Sequence, residues 1–243
     1  MAKLAFYGDD FTGSTDALEV LAFAGMQCAL FLRVPDAAML REAGPLDAIG
    51  VAGASRAMSP AEMDTQLAPV LAGLALLGAP IVHFKVCSTF DSSPAIGSIG
   101  RVMELSRAGF GDAAIPVVMA TPALGRYGVF GQLFARSGTD GRVHRIDRHP
   151  IMSVHPVTPM HEADLARHLG AQTAMRFESF TLPLFEGEAP EREAADALHR
   201  ANRVWKRMLE DYQDPGLDPA KDEELREFMA KRKEVLTDAI EEE

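Results

Sequence analysis

The sequence predicts an α/β fold: a Rossmann-like, open, mostly parallel sheet with helices on both faces, followed by a helical tail. Two observations predict it. Short apolar runs alternate with helix-period segments over residues 1–175, which is typical of strands joined by helical crossovers. The apolar runs are apolar throughout rather than at every second position, as expected for parallel strands that helices cover on both faces.

Five strands and four helices are expected in the main part of the chain. The strand candidates are residues 4–7, 28–34, 48–53, 81–86 and 115–120. The helix candidates are residues 15–24, 36–42, 60–77 and 94–108. The third helix has the clearest start, because Ser59, Pro60 and Glu62 form a capping box with proline at the first helical position.

Residues 121–160 have a different composition, rich in glycine, proline, histidine and arginine. We expect an ordered excursion there, with a short hairpin around residues 137–141, and a closing helix over residues 162–173. Residues 176–243 form a second part that carries most of the net charge of −11. Apolar residues at three- and four-residue steps predict tail helices over 189–211 and 220–240.

Composition excludes several classes of function. A net charge of −11 argues against a nucleic-acid-binding face, which is basic. No apolar run reaches the roughly 20 residues that span a bilayer, and the apolar segment after Met1 is too short for a secretory signal. Two cysteines are too few for a disulfide framework or a four-cysteine zinc site. We therefore expect a cytoplasmic protein that binds no nucleic acid and no membrane.

The turn after the first strand, FYGDDFTGSTD, carries the first candidate site residues, Asp9 and Asp10. Ligands of open α/β sheets bind at the carboxyl ends of the strands. One carboxylate could face a substrate while the other holds the loop or a cation; the alternative is an acidic turn that caps a helix. The dinucleotide and P-loop glycine motifs are absent, so this turn is not a standard phosphate site.

The third and fourth strands end in further polar residues. Arg56 follows the third strand and could hold a carboxylate through two parallel hydrogen bonds, or be a solvated loop arginine. Lys85 lies in an apolar run, either paired or with its ammonium reaching solvent, and Ser88, Thr89 and Asp91 follow it. The next helix could offer its free amide groups to an anion, or simply be capped by the serines.

The excursion contains three histidines, His144, His149 and His155, whose spacing does not match a helical zinc site. We predict no metal there and expect histidine to donate hydrogen bonds to a polar ligand. Together, the strand ends predict a site for a small, hydroxylated, anionic molecule.

Five ordered motifs carry a resemblance to a known family: GDDFTGSTDA, ASRAMSPAEM, KVCSTFDSSPAIGSIG, PALGRYGVFGQLFA and HPIMSVHPVTPM. Residues 1–175 resemble the sugar-acid-binding lobe of the four-carbon acid sugar kinases, which phosphorylate acids such as threonate and erythronate with ATP. The resemblance implies a phosphotransferase of carbohydrate metabolism. It also implies that ATP with Mg²⁺ binds a second lobe, which we do not recognise in this chain.

The resemblance also implies roles for the candidate residues. The pair Asp9 and Asp10 would supply the carboxylate that activates the hydroxyl nucleophile, with Asp10 preferred. The expected substrate contacts are Arg56, Lys85, Ser88, Thr89, Asp91, Ser55 and His155.

The tail is similar to another family. The segment RANRVWKRMLEDYQDPGLDPAKDEELREFMAKRK resembles the carboxy-terminal tail of trimethylamine methyltransferase-like proteins, which are corrinoid-dependent. Three alternatives follow: a kinase lobe fused to an unrelated tail, a non-catalytic metabolite-binding or partner-recruiting module, and a methyltransferase fragment, which rests on the tail alone. The tail's apolar stripe could dock on this lobe, on a second copy or on a partner chain.

Overall fold

The computed structural model describes residues 2–111 and 114–179. Its main sheet has four parallel strands, β1 (Leu4–Gly8), β2 (Cys28–Phe31), β3 (Ala48–Ala52) and β4 (Ile81–Lys85), in the order β2-β3-β1-β4. Gly8 is in register with Ala52 on one side and with Lys85 on the other. The carboxyl ends of three strands are therefore level at one edge of the sheet.

The predicted fifth strand over residues 115–120 is wrong, since these residues pair with no strand. Pro116 lacks the N–H group that a ladder requires. The side chain of Val118 is also 63% exposed, so the segment is not buried as a strand between helices would be.

The helices confirm the predicted pattern with shifted starts. They are α1 (Phe11–Phe23), α2 (Ala37–Ala43), α3 (Pro60–Glu62), α4 (Ala68–Leu76), α5 (Ile99–Phe110) and α6 (Leu165–Gly170), with a π-helical turn over Met63–Leu67 between α3 and α4. α1 begins earlier than expected because Asp10 caps it. α5 begins later than expected because Ser98 is its cap and Gly97 before it has a left-handed φ of 64°.

Alternate residues of β1 pack on opposite faces of the sheet, which places helices on both. Phe6 packs with Leu21 of α1 on one face. Ala5 and Tyr7 pack with Leu71 of α4 on the other. The parallel, two-faced α/β architecture is confirmed.

The excursion forms a second sheet that the sequence did not predict. β5 (Arg126–Val129), β6 (Gln132–Arg136) and β7 (Val143–Arg145) are antiparallel in that order. The predicted hairpin around residues 137–141 is confirmed as the β6–β7 connection. The core beneath this sheet joins it to the loop after β4 and to α5 and α6, through Phe90, Ile99, Met103, Leu133, Ile146, Leu165 and Leu169.

Within the described ranges, no helix has the length and apolar character needed to cross a membrane. The tail helices predicted over 189–211 and 220–240 lie outside the described residues.

Candidate functional site at the carboxyl edge of the parallel sheet

Backbone hydrogen bonds join the three loops that carry the predicted site residues. The Asp9 amide donates to the carbonyl of Lys85 (3.0 Å), and the Arg56 amide donates to the carbonyl of Asp9 (3.0 Å). Arg56 lies in a 3₁₀ turn, Ser55–Ala57, that follows β3. The structure therefore brings together the loops after β1, β3 and β4, as the sequence predicted from the parallel strands.

The Arg56 guanidinium bridges two carboxylates. Nη1 donates to Oδ2 of Asp10 at 2.8 Å, and Nη2 lies 2.9 and 2.8 Å from Oδ1 and Oδ2 of Asp91. Burial alone would lower the pKa of Arg56, but the hydrogen bond to Asp91 and the other anionic contacts raise it above its ordinary value. Arg56 thus holds two loops of the protein together, whereas the sequence-based hypothesis had it free to hold a ligand's carboxylate.

Asp91 is the buried end of this bridge. Its side chain is fully buried and accepts hydrogen bonds from the hydroxyls of Thr89 (2.6 Å) and Thr158 (2.9 Å) as well as from Arg56. Burial would raise the pKa of Asp91, yet these donors and the positive charge of Arg56 outweigh it and hold the pKa below its usual range. These contacts favour the ionised form of Asp91, which serves as a structural carboxylate.

The two adjacent aspartates differ in how their oxygens are used. Asp10 has both oxygens engaged: Oδ1 accepts the Gly13 amide at 2.5 Å as the cap of α1, and Oδ2 accepts from Arg56. Asp9 is 6% exposed; its Oδ2 accepts the Cys87 amide at 3.3 Å, while its Oδ1 has no partner among the described residues. Burial, followed by repulsion from Asp10, raises the pKa of Asp9 to about 6.

Lys85 supplies the ammonium group of the cluster. Its Nζ donates to the carbonyl of Val86 at 3.1 Å, which uses one of its three hydrogens. A methyl group added at Gly13 would lie 2.8 Å from Nζ of Lys85 and 2.9 Å from Oδ1 of Asp10. The missing side chain of Gly13 thus lets the Lys85 ammonium, the Asp10 carboxylate and the first turn of α1 approach one another.

The remaining predicted contacts have mixed placements. Ser88 is half-buried, and its hydroxyl makes no hydrogen bond within the described part of the chain. The Thr89 hydroxyl donates its hydrogen bond to Asp91. Ser55 is buried beside the hydroxyl of Tyr7. His155 reaches the cluster indirectly, since its Nδ1 accepts the Thr158 amide at 3.1 Å and Thr158 in turn contacts Asp91. That acceptor role places the proton of a neutral His155 on Nε2.

Sequence reasoning missed Thr158, which connects the excursion to the sheet. Its only signal was its position inside the motif HPIMSVHPVTPM. Of the other two histidines, His144 lies in β7, binds Asp140 at 2.8 Å and packs edge-on against the ring of His149, which follows a 3₁₀ turn after β7. Over residues 2–111 and 114–179, no three histidine, cysteine or acidic side chains are grouped to hold a metal ion.

An open α/β sheet whose strand ends gather ionised side chains and hydroxyls defines a lobe that binds a small polar molecule. The chain belongs to the family described as the sugar-binding N-terminal domain, whose model matches residues 4–239.

Named relatives match about seven-tenths of the chain. A 3-oxo-isoapionate kinase of Paraburkholderia graminis is 53% identical over 175 residues, which are 72% of this chain and 37% of that protein. A 3-oxo-tetronate kinase of Methylobacterium radiotolerans is 36% identical over 170 residues, 70% of this chain and 38% of that protein.

Solved structures agree with the fold. A protein of Salmonella typhimurium LT2 has a TM-score of 0.68 at 30% identity, over 83% of this chain and 46% of that one. Protein HI1011 of Haemophilus influenzae has a TM-score of 0.67 at 27% identity, over 81% of this chain and 45% of that one. The chain spans less than half the length of each of these four proteins.

Proposed function

We propose that this chain is the substrate-binding lobe of an ATP-dependent kinase of four-carbon sugar acids, of the threonate and erythronate type. One observation carries the proposal: Lys85, the Asp9–Asp10 pair and the Arg56 bridge converge at one edge of the sheet. The names of the relatives, kinases of 3-oxo-tetronate and 3-oxo-isoapionate, support the same class of substrate.

We assign Lys85 as the residue that binds the carboxylate of the ligand. Its ammonium keeps hydrogens beyond the single bond to Val86, whereas the terminal nitrogens of Arg56 already bind Asp10 and Asp91. The compact Lys85 ammonium offers these hydrogens to a ligand carboxylate beside the Asp9–Asp10 pair. Ser88, whose hydroxyl has no partner among the described residues, is the nearby side chain that could hold a ligand hydroxyl.

We assign Asp9 as the general base that accepts the proton of the reacting hydroxyl. Both aspartates were candidates, and the sequence-based preference was Asp10. However, both oxygens of Asp10 are already used within the protein, one by the Gly13 amide and the other by Arg56. Asp9 has an oxygen without a partner and a pKa of about 6, close to the range in which a general base operates.

The described residues do not fit ATP and Mg²⁺. They contain no glycine-rich phosphate loop and no group of three metal-binding side chains. We therefore propose that the nucleotide and its metal ion bind a lobe outside residues 2–179, and we assign no residue of this lobe to them. Cytoplasmic location and docking of the tail on a second copy or a partner chain remain predictions.

Calorimetric titration of the full chain with L-threonate and D-erythronate tests the proposal. We expect both acids to bind more tightly than butyrate, which lacks the hydroxyls, and than erythritol, which lacks the acid. Lys85→Met should abolish most of the affinity. Lys3→Met is the matched control, because Lys3 lies at the opposite end of the sheet, where it pairs with Asp47. Absence of binding to both acids, or equal affinity for butyrate, would overturn the proposal.

A further inference from the structure

We propose that Ser92, His168 and Gln172 form a brace that positions Asp91, and through it the Arg56 bridge that holds the loops of the ligand site together. The three are positioning residues, since they contact neither Arg56 nor Lys85 in the described structure. The inference rests on the proposed function, because it assigns them a role in the same site.

The brace is a closed set of hydrogen bonds around the carbonyl of Phe90. The Ser92 hydroxyl donates to that carbonyl at 2.9 Å and accepts from Nε2 of Gln172 at 2.8 Å. Nε2 of His168 lies 3.2 Å from the same carbonyl and 3.0 Å from the Ser92 hydroxyl. Nε2 of His168 also lies 3.2 Å from Nε2 of Gln172, a nitrogen that only donates. We assign the proton of His168 to Nε2, which then donates to the Phe90 carbonyl while Gln172 donates to the Ser92 hydroxyl.

The brace acts on a residue with an unusual backbone. Phe90 has a left-handed φ of 55°, a region that a bulky side chain rarely adopts. Its amide donates to the carbonyl of Cys87 (2.9 Å), and the brace holds its carbonyl. Because Asp91 follows directly, the backbone of Phe90 sets the direction in which the Asp91 carboxylate points.

The same side chains connect the loop to two helices. Oε1 of Gln172 accepts the amide of Gly100 in the first turn of α5 at 3.2 Å. A methyl group at Gly100 would lie 2.7 Å from Cβ of Gln172, so the two segments are in direct contact. The α5 amides that the sequence offered to an anion are thus bound by Gln172 and by Ser98, whose hydroxyl accepts from Arg101. These amides are therefore not where we place the anionic group of the ligand. The Gln172 side chain instead holds the loop that contains Phe90 and Ser92.

The burial of His168 is consistent with a neutral side chain that donates one hydrogen bond in a fixed direction. Burial is the largest influence on its imidazole and lowers its pKa, even though the Phe90 carbonyl favours the charged form. The ring is therefore neutral near pH 7, with its single proton on Nε2. A side chain of similar length that carries an N–H donor should therefore be able to replace His168.

Two substitutions at His168 test this role. His168→Gln can keep a donor near the Phe90 carbonyl, whereas His168→Met fills the space without a donor. We expect His168→Met to raise the Kd for L-threonate by about fivefold, the loss of one buried hydrogen bond. His168→Gln should stay within about twofold of the wild type. His144→Met, which removes an exposed pair with Asp140 on the second sheet, is the matched control and should leave the Kd unchanged.

A ligand-free measurement separates the brace from the proposed function. Nuclear magnetic resonance can follow exchange of the Arg56 guanidinium protons with solvent, and we expect it to be faster in His168→Met and close to wild type in His168→Gln. Gln172→Glu, which keeps the acceptor for Gly100 but loses the donor to Ser92, should also speed exchange. If Arg56 exchange is unchanged in both donor-deficient variants, the brace is overturned whether or not threonate binds. A wild-type chain that fails to bind threonate, with exchange altered as expected, would overturn the proposed function alone.

Discussion

Nη2 of Arg56 lies within 2.9 Å of both carboxylate oxygens of Asp91, a side chain with no solvent exposure. Removal of the guanidinium would leave a buried negative charge with only two hydroxyl partners. We expect Arg56→Ala to lower the free energy of unfolding by about 3 kcal/mol, the usual cost of breaking a buried ion pair from one side. Urea denaturation at pH 7 measures it.

Arg101 is the matched control for this substitution. It also contacts two carboxylates, Asp64 and Glu104, but all three side chains are about one-third exposed or more. Solvent screens such pairs, so Arg101→Ala should cost no more than about 1 kcal/mol. Equal losses for Arg56→Ala and Arg101→Ala would show that the bridge is not a buried ion pair.

Asp9 should make stability depend on pH in the opposite sense to an ordinary ion-paired carboxylate. Its pKa is about 6 in the folded chain against 3.8 for a free side chain. The folded state therefore binds more protons than the unfolded state between about pH 4 and pH 6, and stability falls as pH rises through that window. Once the pH exceeds about 6, this titration has lowered the free energy of unfolding by about 3 kcal/mol relative to its value below pH 4.

Asp9→Asn removes this titration and provides the test. The variant should gain stability relative to the wild type as pH rises from 4.5 to 7.5, because an amide keeps an acceptor for Cys87 without the buried charge. Urea denaturation of both proteins at the two pH values gives the difference. A difference that does not change with pH would show that Asp9 has an ordinary pKa.

Gly97 should be more sensitive to substitution than Gly111, although both have a left-handed φ, 64° and 74° respectively. A methyl group at Gly97 would lie 2.6 Å from the carbonyl oxygen of Arg56, whereas at Gly111 it would meet no atom of the described residues within 4 Å. Gly111 has a ψ of −168°, so Gly111→Ala should cost about 1 to 3 kcal/mol from backbone strain alone. Gly97→Ala should cost at least 1 kcal/mol more, and thermal unfolding of the two variants compares them; similar costs would contradict the contact.

Gly13→Ala should affect binding more than stability. The added methyl group would crowd Nζ of Lys85, which can move, and the cap oxygen of Asp10, which is more constrained. The gain in helix propensity, up to about 1 kcal/mol, offsets part of the strain. We expect the affinity for L-threonate to fall at least tenfold in calorimetry. Gly109→Ala in α5, where the nearest atom is the Ala75 methyl group at 3.2 Å, should leave affinity unchanged.

The sequence predicted the parts of this fold that depend on local pattern. Continuous apolar runs identified β1 to β4, and the capping box at Ser59 and Glu62 is present as predicted. The rule that parallel strands end at one edge was sufficient to predict that Asp10, Arg56 and Lys85 lie together. Of the second sheet only the β6–β7 hairpin was predicted, because its three strands are short and no regular apolar alternation marks them.

The partners of each site residue were beyond sequence reasoning, since they depend on distant contacts. Thr158 reaches Asp91 across 67 positions of the chain. Nothing local to Arg56 shows that Asp10 and Asp91 both bind it, which is why its guanidinium was expected to be free for a ligand. Likewise, the contrast between Asp9 and Asp10 comes from burial and from the start of α1, neither of which the adjacent letters DD reveal.

A crystal structure of the full chain soaked with L-threonate tests the proposed site most directly. We expect the ligand carboxylate within hydrogen-bond distance of Nζ of Lys85, and a ligand hydroxyl facing Asp9, with the Arg56–Asp91 contact intact. Threonate bound instead at the open concavity formed by Pro122 to Gly125 and Arg136, or with its acid on Arg56 and the bridge to Asp91 broken, would contradict this assignment.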